Sequence, residues 1–264
     1  MTTLSLKVLN KNDEVICERI GEGFVDLVCR HTYEEGDYIQ LETSVKPIHL
    51  NVQFDDALGQ SFVYLTDDMR YVIPFGEMRT NRSPKIFCGD RHYLFVEEAS
   101  EQQIHTYRNL ALNPNDQHCD VPCFPHATAN VETRGEAVFA AQNAIDGVRA
   151  NLSHGAWPYS SWGINRRPDA AIKVDFGHEV CVDKVVLYTR ADFPHDSWWT
   201  QVTLHFSDGS DIEWKLEKSC LPHVLEFESK NISWISMDQL VKAEDESPFP
   251  ALTQIEVYGT IPKH

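Results

Sequence analysis

The feature that most limits how this chain can fold is its punctuation. Short apolar runs recur about every ten residues, separated by Gly, Asp or Pro turns. Leu4, Leu6 and Val8 alternate with polar residues, and Ile48, Leu50, Val52 and Phe54 alternate with His49, Asn51 and Gln53. Period-2 alternation places one face of a strand inward and the other outward. Further runs follow the turns Gly21-Glu22-Gly23 and Glu35-Gly36-Asp37, and others cover 62–65, 71–73 and 92–96. One helix is expected, over 100–112, carrying Ile104, Tyr107, Leu110 and Ala111. Beyond residue 128 a first strand is expected at 130–133 and a short helical turn at 140–147. Strands then follow at 171–177, 185–188, 202–206, 212–216, 224–227, 232–235 and 255–258. Hairpin spacing without intervening helices excludes a doubly wound α/β fold. The expectation is an all-β protein of two β-sandwich or jelly-roll domains, 1–112 and 128–264, joined by a proline-rich linker over 113–127.

Charge narrows the partners. The formal net charge of −17 opposes binding to nucleic acid and to anionic membranes, which call for a basic footprint. A local positive patch remains compatible with it. The N-terminus has no apolar leader and the chain no run long enough to span a bilayer, so neither secretion nor membrane insertion is expected. The seven cysteines are odd in number and several sit inside apolar strand patterns. Reduced thiols and a cytoplasmic location are the simplest expectation. His118, Cys119, Cys123 and His126 are zinc-ligand types, but their spacing matches no standard finger, so the segment reads as a packed connection. The turns holding Glu77, Met78 and Arg79, and Asp90, Arg91 and His92, read as solvated. Sequence does not set the oligomeric state.

The chemistry-bearing stretch runs from 185 to 210. It opens and closes as strand, and between lie Arg190, Asp192, His195, Asp196, Trp198 and Trp199. No strand pattern requires one cation, two acids, an imidazole and two indoles. Binding groups concentrate on loops held by a rigid sheet. Aromatic faces cover the C–H face of a pyranose, and charged groups fork onto its hydroxyls. Trp198 and Trp199 are adjacent and point to opposite faces if extended, one inward and one available. A facing loop supplies His154, Trp157 and Tyr159. The expected ligand-binding set is therefore His154, Trp157, Tyr159, Arg190, Asp192, His195, Trp198 and Trp199.

The phrases A-A-Q-N-A-I-D-G, Trp162 in an aromatic loop, I-K-V-D-F-G-H-E-V-C-V-D-K-V-V-L-Y and I-E-V-Y-G resemble the galactose-binding-like domains. That group includes discoidin or F5/8 type C domains and family-32-type carbohydrate-binding modules. The resemblance covers about residues 128–260. It implies a jelly roll, with a Trp at the Trp162 position packed beneath the loops. It also implies a structural Ca²⁺, held largely by loop carbonyls, with Asp146 and Glu256 at the carboxylate positions. The chain departs from the pattern after Asp146, having Asn151-Leu152-Ser153-His154 and a longer insertion. Fold does not fix function, so three readings stand. The first is a non-catalytic carbohydrate-binding protein. The second is a carbohydrate-active enzyme, a glycoside hydrolase with Asp192 and Asp196, or Asp169 and Asp192, as its paired carboxyls, or a lyase using His154 or His195 with Tyr159. The third is a protein-interaction module.

Overall fold

The computed structural model describes residues 1–150, 157–192 and 197–263. The protein is all-β. Its first unit contains β1 (Thr3–Leu9), β2 (Val15–Glu22), β3 (Phe24–Cys29), β4 (Tyr38–Thr43), β5 (Ile48–Gln53), β6 (Ser61–Leu65), β7 (Met69–Val72) and β8 (His92–Glu98). The order β2-β1-β4-β7 makes one sheet, and β6-β5-β8-β3 the main part of another. The alternating residues of the sequence face each other across the sandwich. Leu4, Leu6, Ile39 and Leu41 come from one sheet, and Val25, Leu50, Val63 and Leu94 from the other. This sheet-on-sheet packing is what period-2 patterning demands.

The second unit is built on β11 (His126–Ala129), β12 (Trp162–Gly163), β13 (Ile172–Thr189), β14 (Trp199–Phe206), β15 (Asp211–Lys215), β16 (His223–Lys242) and β17 (Ala251–Thr260). The strands expected separately at 171–177 and 185–188 are one long element, β13, and those at 224–227 and 232–235 are both parts of β16. The β13–β16 ladder shifts register between Asp175 and Val180, so the strands bend without ending. Gly177 sits at the bend with φ +72, and a Cβ there would lie 2.4 Å from the Phe124 ring. Only glycine serves both needs. The first strand of the unit is β11, not 130–133, and it pairs with β13. The core gathers Val174, Val185, Leu187, Leu204, Ile235 and Val257 around Trp162 and Trp199.

Two short strands lie across the expected boundaries. The expected helix over 100–112 is only α1 (Glu101–Ile104), opened by a Ser100–Gln103 capping box. The chain then gives β9 (Arg108–Asn109), which pairs with β17 of the second unit. From the expected linker, β10 (Cys123–Phe124) pairs with β6 of the first. The linker is also a buried polar connection: Asn113 donates to the Pro125 carbonyl at 2.8 Å and Asn115 to Ser61 Oγ at 2.7 Å. The units meet at His49 and His178, whose Nε2 atoms are 3.3 Å apart. Burial, with His178 adding to it, lowers the His49 pKa to about 4 and keeps that ring neutral at pH 7.

Two thiols depart from the expected reduced state: Cys17 on β2 and Cys29 on β3 form a disulfide. No helix among the described residues is long and apolar enough to cross a membrane.

On the outer strands, His205 bridges Asp211 at 2.6 Å and Asp238 at 2.7 Å. Burial opposes protonation of this ring, but the two carboxylate bonds outweigh it and the pKa is raised above 6.5. A raised folded pKa stabilises fully below the unfolded value, and that contribution fades as pH rises through the folded value. Urea midpoints at about pH 6 and about pH 8 should therefore fall more for the parent than for His205→Gln. Equal falls would show that the clamp does not titrate.

Candidate functional site

The expected site residues divide sharply by burial. Trp157 is exposed, and Asp192 and Trp198 are half-buried. Tyr159, Arg190 and Trp199 are at most 2% exposed. The expectation that these three meet a ligand directly is corrected: they form the support behind the surface. Trp199 opens β14 and joins the core, as the outward–inward alternation of adjacent strand residues requires. Trp162 is also core, its indole donating to the Val131 carbonyl at 2.9 Å. His154 and His195, like Asp196, lie outside the described residues.

Arg190 is the hub of the support. Its guanidinium lies 4.6 Å from the Tyr159 ring centroid and 3.3 Å from Asp192 Oδ1. A buried guanidinium needs such partners, since an isolated buried charge is costly. Tyr159 meets the edge of Phe139 at a centroid distance of 6.4 Å. The Arg190 backbone donates to the Ala251 carbonyl at 3.0 Å. Phe139 and Ala251 in turn line a pocket of about 200 Å³. Tyr159 and Arg190, with Asp192 held on Arg190, therefore form a layer behind this pocket.

The pocket is lined by residues outside the expected binding set. Arg134, Asn165, Arg166 and Phe249 line it, with Gly163 of β12 in its wall. Asn165 and Arg166 both adopt positive φ, 48° and 60°, so the turn holds two polar side chains close together. The Arg166 guanidinium lies 4.4 Å from the Phe249 ring centroid. Arg134 lies 5.4 Å from the Phe139 ring and is bonded to Glu136. Arg166 has no carboxylate partner among the described residues. Phe249 sits between Pro248 and Pro250, and an aromatic residue flanked by prolines after a polar run was the available signal. A volume below the about 300–1,000 Å³ of drug-sized sites suits one ring or the end of a chain. No Asp, Glu or His lines the pocket among the described residues.

The implied Ca²⁺ position can be tested on its donors. Asp146 Oδ1 accepts from the Val148 backbone and from Gln254 Nε2, both at 2.8 Å. Its Oδ2 faces Ser160 Oγ at 3.4 Å. Burial raises the Asp146 pKa to about 6. Glu256 Oε1 holds the Arg149 guanidinium at 2.6 Å, and Oε2 accepts from Tyr258 at 2.9 Å. A guanidinium thus stands where the ion's charge would be needed, and every carboxylate oxygen of the pair already has a donor. Asp146 and Glu256 as arranged do not fit a Ca²⁺ site, which requires free oxygen ligands.

His118, Cys119, Cys123 and His126 do not converge either. His118 pairs with Glu132 at 2.7 Å, His126 pairs with Asp116 at 2.7 Å, and Cys123 is buried.

Neither a family model nor a curated protein matches the chain. Among solved structures it is similar to carbohydrate-binding modules and lectin domains. Chitosan-binding module 1 of a chitosanase/glucanase from Paenibacillus sp. IK-5 shares 21% identity, covering 58% of this chain and 99% of that one, with a TM-score of 0.41. A fucose binding module of Streptococcus pneumoniae shares 17%, over 58% and 95%, with a TM-score of 0.41. The family 32 module of C. perfringens NanJ, solved with galactose, shares 18%, over 50% and 91%, with a TM-score of 0.39. All three scores lie below 0.5, so the fold assignment rests on the strand pairing above.

Proposed function

We propose that this protein binds a carbohydrate without transforming it, at the pocket between the Asn165-Arg166 turn and Phe249. The observation that carries this reading is the pairing of apolar ring surface with a planar guanidinium that lacks a carboxylate partner among the described residues. A sugar presents C–H surface and hydroxyls side by side, and this lining answers both. Arg166 would fork onto hydroxyls or onto a sugar carboxylate, and Asn165 would donate and accept beside it. Arg190, Tyr159 and Asp192 would hold the wall in place from behind. A pocket whose described lining offers no acid–base pair favours recognition over hydrolysis.

Isothermal titration against neutral and uronic monosaccharides tests this. A charge-assisted hydrogen bond is worth about 1.5–3 kcal/mol, so Arg166→Ala should weaken binding by about tenfold or more. Phe249→Ala should weaken it by a similar factor. No binding by the parent protein, or unchanged binding by both variants, would overturn the assignment.

A further inference from the structure

We propose that Asp55, Asp56 and His92 form a Zn²⁺ site at the rim of the first sandwich. Asp55 and Asp56 follow the end of β5, and His92 opens β8, which pairs with β5. One ligand atom from each of the three residues lies within 4.8 Å of the others. The carboxylate of Asp55 is fixed by two backbone N–H groups, Ala57 onto Oδ1 at 2.9 Å and Phe87 onto Oδ2 at 3.0 Å. The His92 ring is fixed as firmly. Its Nε2 lies 3.0 Å from the His31 carbonyl, and the Tyr33 ring packs on it at 4.1 Å.

The proton inventory points to a cation. A carbonyl can only accept, so Nε2 carries the proton, and in a neutral ring Nδ1 presents a lone pair. That Nδ1 is buried, has no hydrogen-bond partner among the described residues, and faces Asp55 Oδ2 at 3.5 Å. Two electron-rich atoms facing each other in the interior repel unless something positive lies between them. A shared proton would draw them to about 2.7–2.9 Å. The observed gap is too long for that hydrogen bond. It matches the edge of a coordination tetrahedron: metal bonds of about 2.0–2.2 Å at the tetrahedral angle put two ligands about 3.4 Å apart.

The surroundings agree with this reading. A ligating imidazole characteristically donates its other N–H to a carbonyl or carboxylate, which His92 does to His31. Buried Tyr33 Oη has no hydrogen-bond partner among the described residues either, leaving a second polar atom on the same flank unsatisfied. Asp56 is exposed, so it completes a three-residue set and leaves a path from solvent. One imidazole with two carboxylates is a nitrogen–oxygen donor set that Zn²⁺ accepts, with the fourth position left to water.

The test is titration of the chelator-treated 264-residue protein with ZnCl₂, followed by calorimetry and thermal unfolding, and in parallel with CoCl₂, followed by visible absorption. The expected result is one equivalent of Zn²⁺, a raised unfolding temperature, and a Co²⁺ spectrum with ligand-field bands but no thiolate charge-transfer band. Asp56→Asn, a surface change checked by circular dichroism, should weaken Zn²⁺ binding more than a hundredfold, beyond the about 10–100-fold cost of losing an outer-shell partner. The proposal is overturned by an absence of stoichiometric binding, by unchanged affinity in Asp56→Asn, or by a thiolate band, which would assign the metal to Cys88, Cys119 or Cys220 instead.

Discussion

Trp199→Ala is expected to destabilise the protein by about 3–5 kcal/mol, the cost of emptying a large aromatic site in a packed core. The residue is fully buried and packs with Trp162, Val202 and Leu204 inside the second sandwich. Its indole nitrogen has no hydrogen-bond partner among the described residues. Trp199→Phe should therefore cost much less, because it keeps most of the apolar volume and removes a buried donor that the core does not satisfy. Trp157→Ala, at an exposed position, should stay within about 0.5 kcal/mol. Denaturant unfolding of the three variants measures this directly. Equal losses for Trp157→Ala and Trp199→Ala would contradict the division of the indoles into one surface and one core residue.

Asp116→Ala should be comparably damaging, by about 3–5 kcal/mol, since it removes one partner of a buried ionic pair and strands the other. Asp116 Oδ1 bonds His126 Nδ1 at 2.7 Å and accepts from Gln117 N, while Oδ2 accepts from Ala127 N at 2.9 Å. Burial alone would lower the His126 pKa, but the Asp116 bond outweighs it and holds the value above its ordinary one. Asp116→Asn keeps an acceptor for the ring and removes the charge, so it should cost less. In that variant the His126 titration midpoint, followed by NMR, should fall. An unchanged midpoint would mean that the carboxylate does not control the ring.

Much of the strand framework was legible because alternation is a local signal. The runs around Leu4 and Ile48 became β1 and β5, since side-chain period alone decides which face of such a strand is buried. The region from 100 to 112 was misread because the Ser100–Gln103 capping box does start a helix, but pairing of Arg108 and Asn109 with β17 stops it. That partner lies about 150 residues away, and no local pattern reports it. The disulfide was invisible for the same reason. Cys17 and Cys29 look like apolar strand residues until the turn between β2 and β3 carries the chain from one sheet to the other and brings them together. At the site, the sequence identified the residues of the supporting layer, Tyr159, Arg190 and Asp192, because a charged or aromatic loop residue is conspicuous. It could not tell support from surface, because burial depends on what folds over the loop. Arg166 and Phe249 are inconspicuous in sequence for the converse reason: each is ordinary in its own turn, and only the fold places one beside the other.

The crossed pairing of β9 and β10 bears on modularity. Each sandwich lends a short edge to its neighbour: Arg108–Asn109 arrives from the N-terminal side to flank β17, and Cys123–Phe124 turns back to flank β6. A cut on the N-terminal side of β9 strips β6 of its neighbour, a cut after β10 strips β17, and a cut between them separates each short strand from the sandwich that precedes or follows it in the chain. The two halves are laced together, so neither can be shuffled into another protein as an independent cassette without exposing raw β-edge to foreign strands.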